Sequence, residues 1–305
     1  MTIDTASESV PDEQVRASVG VASSLRRLVA PLGVVVFLAV LWEAYKALGG
    51  VCDDRIPLFG WDFPIPTDDT SMPHLHQILG SLFTDVQTAG KTLPLWRQLF
   101  EGALFTAREA SVGFLIGSLI GVLIAFVFEA VPVLGKALLP WILVTQTVPF
   151  IATAPMVVIW GGQRGWPAWI SVAFISAYLV FFPVVINMRR GLASASSAQT
   201  ELFRSYAASR TVTLFRLKVP VALPYLFAGL RLGATAAVVG AIVGELPSGQ
   251  RDGVGRLLLT FTSFFGLEPE RLFAAVAAAA LLGLTFVGIV SAAERAFLGP
   301  RRREI

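Results

Sequence analysis

The sequence predicts an all-α membrane protein that crosses the bilayer about six times. Hydrophobic residues make up 55% of the 305 residues and charged residues only 15%, whereas a soluble domain carries roughly 25% charged residues. The chain also contains several apolar stretches of about 20 residues, the length that an α-helix needs to cross the hydrocarbon core of a bilayer. A chain of this composition has too few polar side chains to cover a surface in water.

Six apolar segments are predicted to span the membrane: 28–48, 110–130, 137–160, 168–188, 221–244 and 272–293. The third is the least regular, because its prolines remove backbone donors inside a helix. Around the spans we expect a disordered cytoplasmic tail at 1–27, an extracytoplasmic loop with amphipathic helices at 49–107, a core transmembrane domain at 108–295 that includes a cytoplasmic loop at 189–220, and a basic cytoplasmic tail at 296–305.

The distribution of Lys and Arg predicts the orientation, because basic residues collect in the cytoplasmic loops of membrane proteins. They are dense in the loop 189–218 and in the tail 301–303. We therefore expect a multi-pass protein of the plasma (inner) membrane with both termini in the cytoplasm. The net charge of +3 fits these basic helix ends better than a nucleic-acid partner.

The long loop 49–107 is predicted to change character along its length. Its first half is rich in Pro, Gly and Asp, which favour turns, whereas helical spacing begins at Leu75. The stretch 95–105 is amphipathic and is expected to lie on the membrane surface. His74 and His76 are interpreted as solvated loop histidines rather than metal ligands, and Cys52 is the single cysteine, so we predict no metal site.

A stripe of glycines marks the second predicted span. Gly113, Gly117 and Gly121 recur at every fourth position, and small residues at this spacing let another helix approach closely. The stripe favours a helix interface inside the bundle or between two subunits over a chance occurrence.

Polar residues interrupt the third predicted span. Non-regular backbone at membrane depth survives only where protein or a water-filled cavity covers it, so this segment is expected to line a passage for substrate. The alternative is a kinked structural helix whose hydroxyl groups bond the freed carbonyls. The residues concerned are Thr145, Gln146, Thr147 and Thr153.

Two ionisable residues belong to the fifth predicted span. Arg231 lies within it and Glu245 ends it, and an ionisable residue at membrane depth is a candidate functional residue. Both are therefore assigned to the substrate pathway. The alternatives are that Arg231 pairs with a carboxylate of a neighbouring helix and that Glu245 lies at the membrane interface. Glu245 is the only carboxylate that the predicted spans place close to an interior.

The cytoplasmic loop carries apolar side chains that water alone does not explain: Leu202, Phe203, Tyr206 and Leu217. Residues 199–209 are predicted to form a short helix, with Thr200 as N-cap and Glu201 in its first turn, where a carboxylate suits the helix dipole. Such a helix is suited to docking into a groove of a partner. The alternative is an amphipathic helix that lies on the membrane surface.

The same loop resembles the hallmark of the permease subunits of binding-protein-dependent ABC importers: E-A-A, three residues, G, nine residues, then I-x-L-P. Glu201, Ala207, Leu217, Val219 and Pro220 take its positions, whereas Leu202 and Phe203 replace the two alanines and Ala207 replaces the glycine. Further segments are similar to the nitrate/sulfonate/taurine branch of that family: 146–155, 159–162, 181–183, 190–192 and 219–231.

The resemblance implies a type I ABC importer permease fold and a set of partners. A second permease copy (a homodimer) would complete the pathway, cytosolic ABC ATPase subunits would use ATP, and an extracytoplasmic binding protein would deliver the solute. The chain itself would be no enzyme and bind no cofactor. The coupling loop would comprise Glu201, Leu202, Phe203, Arg204, Tyr206, Ala207, Ala208, Leu217 and Pro220. The solute would be a small nitrate-, sulfonate- or taurine-like anion or a pyrimidine or vitamin precursor.

Two other classes compete with this interpretation. An ion-coupled secondary transporter would show inverted repeats and acidic residues near the middle of the membrane. The sequence shows no repeat between its halves. A membrane-embedded enzyme would need clustered His, Asp or Cys at depth, and the predicted spans contain no such cluster.

Overall fold

The computed structural model describes residues 33–52, 64–88 and 90–299. They belong to two compact units, one that ends at Gln77 and one that begins at Ile78. The predicted tail at 1–27, most of the tail at 296–305 and the Pro-rich start of the long loop lie outside the described residues.

The first unit is a membrane-length helix with a polar segment anchored to it. Helix α1 runs from Gly33 to Val51. Lys46, which is only 6% exposed, donates from Nζ to Oδ1 of Asp69 at 2.7 Å and to the carbonyl oxygens of Thr67 and Met72. The hydrogen bond from Lys46 holds the pKa of Asp69 below its ordinary value. One buried ammonium thus organises several residues of this segment.

The remaining elements are almost entirely helical. They are α2 (Leu75–Ser81), the strands β1 (Asp85–Thr88) and β2 (Lys91–Pro94), then α3 (Leu95–Ala130), α4 (Pro132–Thr145), α5 (Phe150–Gln163), α6 (Ala168–Leu192), α7 (Ser197–Ser205), α8 (Arg210–Thr213), a π-helical turn (Leu214–Lys218), α9 (Val219–Ser248), α10 (Val254–Ser263) and α11 (Pro269–Leu298).

The prediction of an all-α chain with about six spans is confirmed. Among the described residues, five helical segments are long and apolar enough to cross a membrane, and the pair α4 and α5 makes a sixth if it is counted as one span. That pair is bent by 95° at the break between Thr145 and Phe150. The irregularity predicted for the third span is therefore a broken helix.

The stretch 95–105, expected to lie on the membrane surface, is not a separate element in the structure. These residues form the first three turns of α3, a single helix of 36 residues. Their apolar face packs into a cluster in which Leu95 and Leu99 contact Leu257 and Phe261 of α10. One apolar side of this stretch is therefore buried against α10, whereas Trp96, Phe100 and Leu104 are exposed.

The hairpin of β1 and β2 is a feature that the sequence analysis missed. The strands are antiparallel, with Asp85 opposite Pro94. The side-chain amide of Gln98, in α3, donates to the carbonyl oxygens of Val86 and Leu93 at 2.5 and 3.0 Å. This buried side chain holds both strands against the start of α3.

The glycine stripe packs α3 against α6 within the same chain. A Cβ atom on Gly117 would lie 2.8 Å from Cβ of Val180, and one on Gly121 would lie 2.8 Å from the carbonyl oxygen of Phe181. Gly113 faces Ser176 and the backbone of Ala173 in the same way. Of the two interfaces that the stripe allows, the structure places it at the one inside the bundle.

Candidate functional site

Helix α7 begins earlier in the chain than predicted. Its N-cap is Ser196, whose Oγ accepts from the backbone N of Gln199 at 3.2 Å, while Oε1 of Gln199 accepts from the backbone N of Ser196 at 3.1 Å. This reciprocal capping box satisfies two backbone donors that a helix start leaves free. The prediction of Thr200 as N-cap is wrong, because Thr200 lies inside the helix and donates to the carbonyl oxygen of Ser196.

The end of α7 explains why the motif calls for glycine at position 207. The backbone N of Ala208 bonds the carbonyl oxygen of Phe203 at 3.0 Å, and that of Ala207 bonds Arg204 at 2.9 Å. This is a Schellman C-cap, which places one residue in the left-handed region. Ala207 occupies it with φ 52°, a conformation that costs an L-residue roughly 1–2 kcal/mol.

We expect Ala207→Gly to stabilise the end of α7. Glycine relieves the left-handed strain, but it loses roughly 0.4–1 kcal/mol through the greater entropy of the unfolded chain, so a net gain of about 0.5–1 kcal/mol remains. Amides of residues 202–208 should exchange with deuterium about two- to fivefold more slowly. Ala208→Gly is the matched control and should not slow exchange. Equal exchange in Ala207→Gly and the parent chain would show that position 207 is unstrained.

Apolar side chains are exposed on the surface of α7. Leu202 is 53% exposed and Tyr206 is 78% exposed, while Phe203 and Ala208 are half-buried. Glu201 and Arg204 flank these side chains and are exposed. Apolar side chains held open on a capped helix are suited to binding a partner.

The π-helical turn joins the α7–α8 segment to the bundle. Leu217 is buried, and the ring of Phe215 lies 6.3 Å from that of Phe126 in α3. Lys218, at the end of the turn, forms an ion pair with Glu129 near the end of α3. Pro220 follows in the first turn of α9 and is exposed. The loop is thus attached to both α3 and α9.

The polar residues of the broken span lie at its bend. Gln146 and Thr147 are exposed between α4 and α5. The hydroxyl groups of Thr145, Thr147 and Thr153 donate to carbonyl oxygens three residues earlier, at 2.7, 2.8 and 3.0 Å. The hydroxyl groups therefore bond backbone carbonyls, as expected for a kinked structural helix. The amide of Gln146 remains exposed.

The two ionisable residues of α9 have different surroundings. Nη1 of Arg231 lies 2.7 Å from Oε2 of Glu294 in α11. Arg231 therefore pairs with a carboxylate of a neighbouring helix, which was one of the two alternatives for this residue. Glu245 has no exposed surface and accepts from Oγ1 of Thr106 and from the backbone N of Gly255, each at 2.6 Å. Its carboxylate faces protein on all sides.

Sequence reasoning missed the residues that surround Glu245. Glu109 of α3 is also completely buried, which overturns the expectation that Glu245 is the only carboxylate close to a span interior. Thr106 lies one turn earlier on the same face of α3, at the spacing of helix neighbours. Both residues precede the predicted span 110–130; Thr106 was assigned to the loop 49–107 and Glu109 to the start of the core domain, outside the span. A helix start placed at Leu95 would have revealed them.

The two histidines lie in the first unit. Nδ1 of His74 is 2.8 Å from Oε2 of Glu43 in α1, and the His74 ring lies beside that of His76, tilted by 30° with centroids 5.2 Å apart. His74 is therefore tied to α1, more closely than a solvated loop histidine would be. Within the described ranges, no group of three or more His, Cys, Asp or Glu side chains is placed to hold a metal ion.

Comparison with known proteins identifies relatives for most of the chain. Residues 117–303 match the family model of the binding-protein-dependent transport system inner membrane component. The formylaminopyrimidine transport permease protein of Halalkalibacterium halodurans is 30% identical over 72% of this chain and 85% of its own length. The riboflavin transport system permease protein of Chloroflexus aurantiacus is 32% identical over 53% of this chain and 58% of its own length.

A solved structure supports the same fold. The crystal structure of an amino acid ABC transporter with histidines superposes with a TM-score of 0.55 at 20% identity, covering 66% of this chain and 94% of that chain. The resemblance noted in the loop and the spans thus extends to the arrangement of the helices.

Proposed function

The chain belongs to the binding-protein-dependent transport system inner membrane component family and is a permease subunit of an ABC transporter, and we propose that it imports a small nitrogen heterocycle. The family match over residues 117–303 is the observation that carries the assignment as a permease subunit. ATPase and binding-protein partners follow from membership of the family. A secondary transporter is not favoured, because the relatives are ABC permeases.

We propose that α7 is the site at which a separate cytosolic ATPase pushes on the permease and supplies the energy of ATP hydrolysis. The support is its exposed Leu202 and Tyr206 beside a basic surface. The proposal places α7, and with it both termini, on the cytoplasmic side of the inner membrane. Because the loop is attached to α3 and α9, a displacement of α7 can shift the equilibrium between two packed arrangements of the bundle.

We also propose that a second copy of this chain covers the broken span. Gly135, Ala154 and Gly161 are the buried residues of α4 and α5, whereas Trp141 and Ile151 are more than 60% exposed. A break in a helix at membrane depth needs protein or a water-filled cavity around it. Two facing bends would supply both, with the pathway between them and with Thr145, Gln146, Thr147 and Thr153 near it.

The residues at the bend favour a neutral solute over an anion. The exposed amide of Gln146 can both donate and accept hydrogen bonds, and the threonine hydroxyls, whose hydrogens are bonded within the helices, can still accept them, as a heterocycle requires. Arg231, the cation of the predicted pathway, is neutralised by Glu294 at 2.7 Å. Two relatives at 30% and 32% identity carry names of heterocycle permeases. We therefore place formylaminopyrimidine-like compounds ahead of sulfonates and nitrate.

Transport into vesicles tests this function. The chain is reconstituted with its ATPase and binding protein, and labelled formylaminopyrimidine and taurine are offered separately. We expect ATP-dependent accumulation of the pyrimidine and little of the taurine. Accumulation of taurine alone would overturn the proposed solute, and accumulation by the permease without any ATPase would overturn the ATP-driven mechanism.

A further inference from the structure

Two acidic side chains meet inside the bundle, close to α10. Glu109 of α3 and Glu245 of α9 are both 0% exposed, and Glu245 accepts from Thr106, which lies one turn from Glu109 on the same face of α3, so the two side chains are buried side by side. Neither forms an ion pair with another of the described residues. The transport function proposed above uses neither residue, so their burial requires its own explanation.

The hydrogen-bond partners of the pair are uncharged. Glu245 accepts from the hydroxyl of Thr106 and the backbone N of Gly255, each at 2.6 Å. Oε1 of Glu109 accepts from Nε2 of Gln250 at 3.1 Å. Oε2 of Glu109 is buried and has no hydrogen-bond partner within the described part of the chain. The cluster therefore lacks one hydrogen-bond donor, and the carboxyl oxygen concerned is buried away from water.

The charged groups on the neighbouring elements do not replace that donor. Among them, Arg108 acts electrostatically on Glu109, but its guanidinium lies over the ring of Trp169, 4.9 Å from the centroid. The titratable residues of the elements packed here are Arg97, Glu101, Arg108 and Glu129 in α3, Tyr178, Arg189 and Arg190 in α6, Tyr225 and Arg231 in α9, Arg251 and Asp252 before α10, Arg256 in α10, and Glu268, Glu270, Arg271, Glu294 and Arg295 at and in α11.

Two buried carboxylates that lie side by side cannot both remain ionised in such surroundings. Each loses its hydration, and each raises the energy of the other, so that adjacent buried carboxyls ordinarily retain a proton. We propose that Glu109 and Glu245 form a proton-binding site that holds one shared proton at neutral pH. This hydrogen supplies the donor that the cluster lacks.

The same site fixes the start of α10. The backbone N of Val254 donates to Oγ1 of Thr106 at 2.9 Å, and that of Gly255 donates to Glu245. Gly253, with φ 110°, and Gly255 lie so close to the Glu245 carboxyl that a Cβ on either would overlap it. Loss of the proton leaves two facing negative charges beneath this turn. We infer that deprotonation releases α10 from α3 and α9.

Infrared spectroscopy tests the proton directly. The purified full-length chain at pH 7 should show the carbonyl stretch of a buried protonated carboxylic acid, shifted by deuterium oxide. The band should be absent from the double variant Glu109→Gln/Glu245→Gln. It should persist in Glu129→Gln, which removes a carboxylate of the same helix that is paired with Lys218. A parent spectrum identical to that of the double variant would overturn the proposal.

Hydrogen exchange of α10 tests the clamp. Between the ordinary pKa of an exposed carboxyl and the pH at which the proton leaves the closed pair, the opening equilibrium of residues 254–263 in the parent chain should rise by up to about tenfold per pH unit and then level off, because opening releases the proton that the closed pair holds. Glu109→Gln supplies a permanent donor, so its opening should stay constant within about twofold between pH 6 and 10. A pH response in Glu109→Gln equal to the parent's would overturn the clamp.

A bound cation is the competing occupant of this site. Sodium or potassium at the pair would protect α10 in proportion to its concentration and would leave no acid band. We expect protection of α10 to be the same in sodium, potassium and choline chloride at one ionic strength. Protection that requires one alkali ion would overturn the proposal. None of these measurements involves transport, so they are independent of the proposed solute and ATPase.

Discussion

Gly117→Leu is expected to prevent the permease from folding. A Cβ atom at this position would already lie 2.8 Å from Cβ of Val180 and closer still to the carbonyl oxygen of Ala177. A leucine must therefore push α3 away from α6 along their whole contact. Overpacking a rigid core typically costs about 1–3 kcal/mol, and displacing backbone costs more, so we expect at least about 3 kcal/mol. Gel filtration of the detergent-solubilised protein should show no monodisperse peak.

Gly288→Leu provides the matched control for this substitution. It makes the same change in another membrane-length helix, α11, where a Cβ on Gly288 would have no atom within 4 Å. This variant should give a monodisperse peak and a thermal midpoint close to that of the parent chain. A normal peak from Gly117→Leu as well would mean that α3 and α6 do not pack as the structure shows.

Leu202→Asp is expected to uncouple transport from ATP hydrolysis while the permease stays folded. Leu202 is 53% exposed on α7, so a charge there costs little in the free chain. In a complex the same charge would lose its hydration in the groove of the ATPase, where truncating a central anchor already costs about 2 kcal/mol or more. We expect ATP-dependent uptake to fall at least about thirtyfold.

Ser205→Asp separates this effect from a general effect of negative charge. Ser205 is exposed on the same helix and is polar already, so uptake should change by less than about threefold. Gel-filtration profiles of both variants should match the parent. Normal uptake by Leu202→Asp would remove α7 from the coupling mechanism, although the chain would remain a member of its family.

The apolar spans were predictable because length and hydropathy alone decide them. Even so, the start of α3 was misplaced. Gln98, Thr106 and Glu109 are polar residues buried in α3, and in the sequence they look like surface positions. Their burial depends on contacts with β1, α9 and α10 that lie 12 to 148 residues away along the chain. A local pattern contains no information about such distant partners.

The loop illustrates what a motif can and cannot predict. The spacing from Glu201 to Pro220 located the segment, and the helix it predicts is present as α7. Its N-cap was missed although the pair Ser196 and Gln199 has the spacing of a capping box. The glycine of the motif indicates a left-handed residue at position 207, and Ala207 adopts that conformation. The motif thus predicts the backbone geometry of this position although the residue type differs.

The bend at 146–149 was predictable only in part. Pro149 indicates that the helix stops, since proline disfavours a helical residue before it. The angle of 95° depends on how α5 packs against α6 and α9, for example through the stacked rings of Phe150 and Tyr178, 5.3 Å apart. Sequence therefore indicated an irregular segment without distinguishing Pro149 from Pro140 and Pro155, which lie inside α4 and α5, and tertiary contacts determine the direction of the break.

The π-helical turn at Leu214–Lys218 has a consequence for the mechanics of the loop. A π turn contains one residue more than an α-helical turn, and each residue of an α-helix accounts for about 100° of rotation. If the extra residue shifts along the chain, or if the turn becomes α-helical, the segment beyond it rotates about the helix axis. A displacement of the cytoplasmic loop along the helix axis can then be converted into rotation of α9. Deletion of one residue from this turn would change the rotational position of α9 permanently.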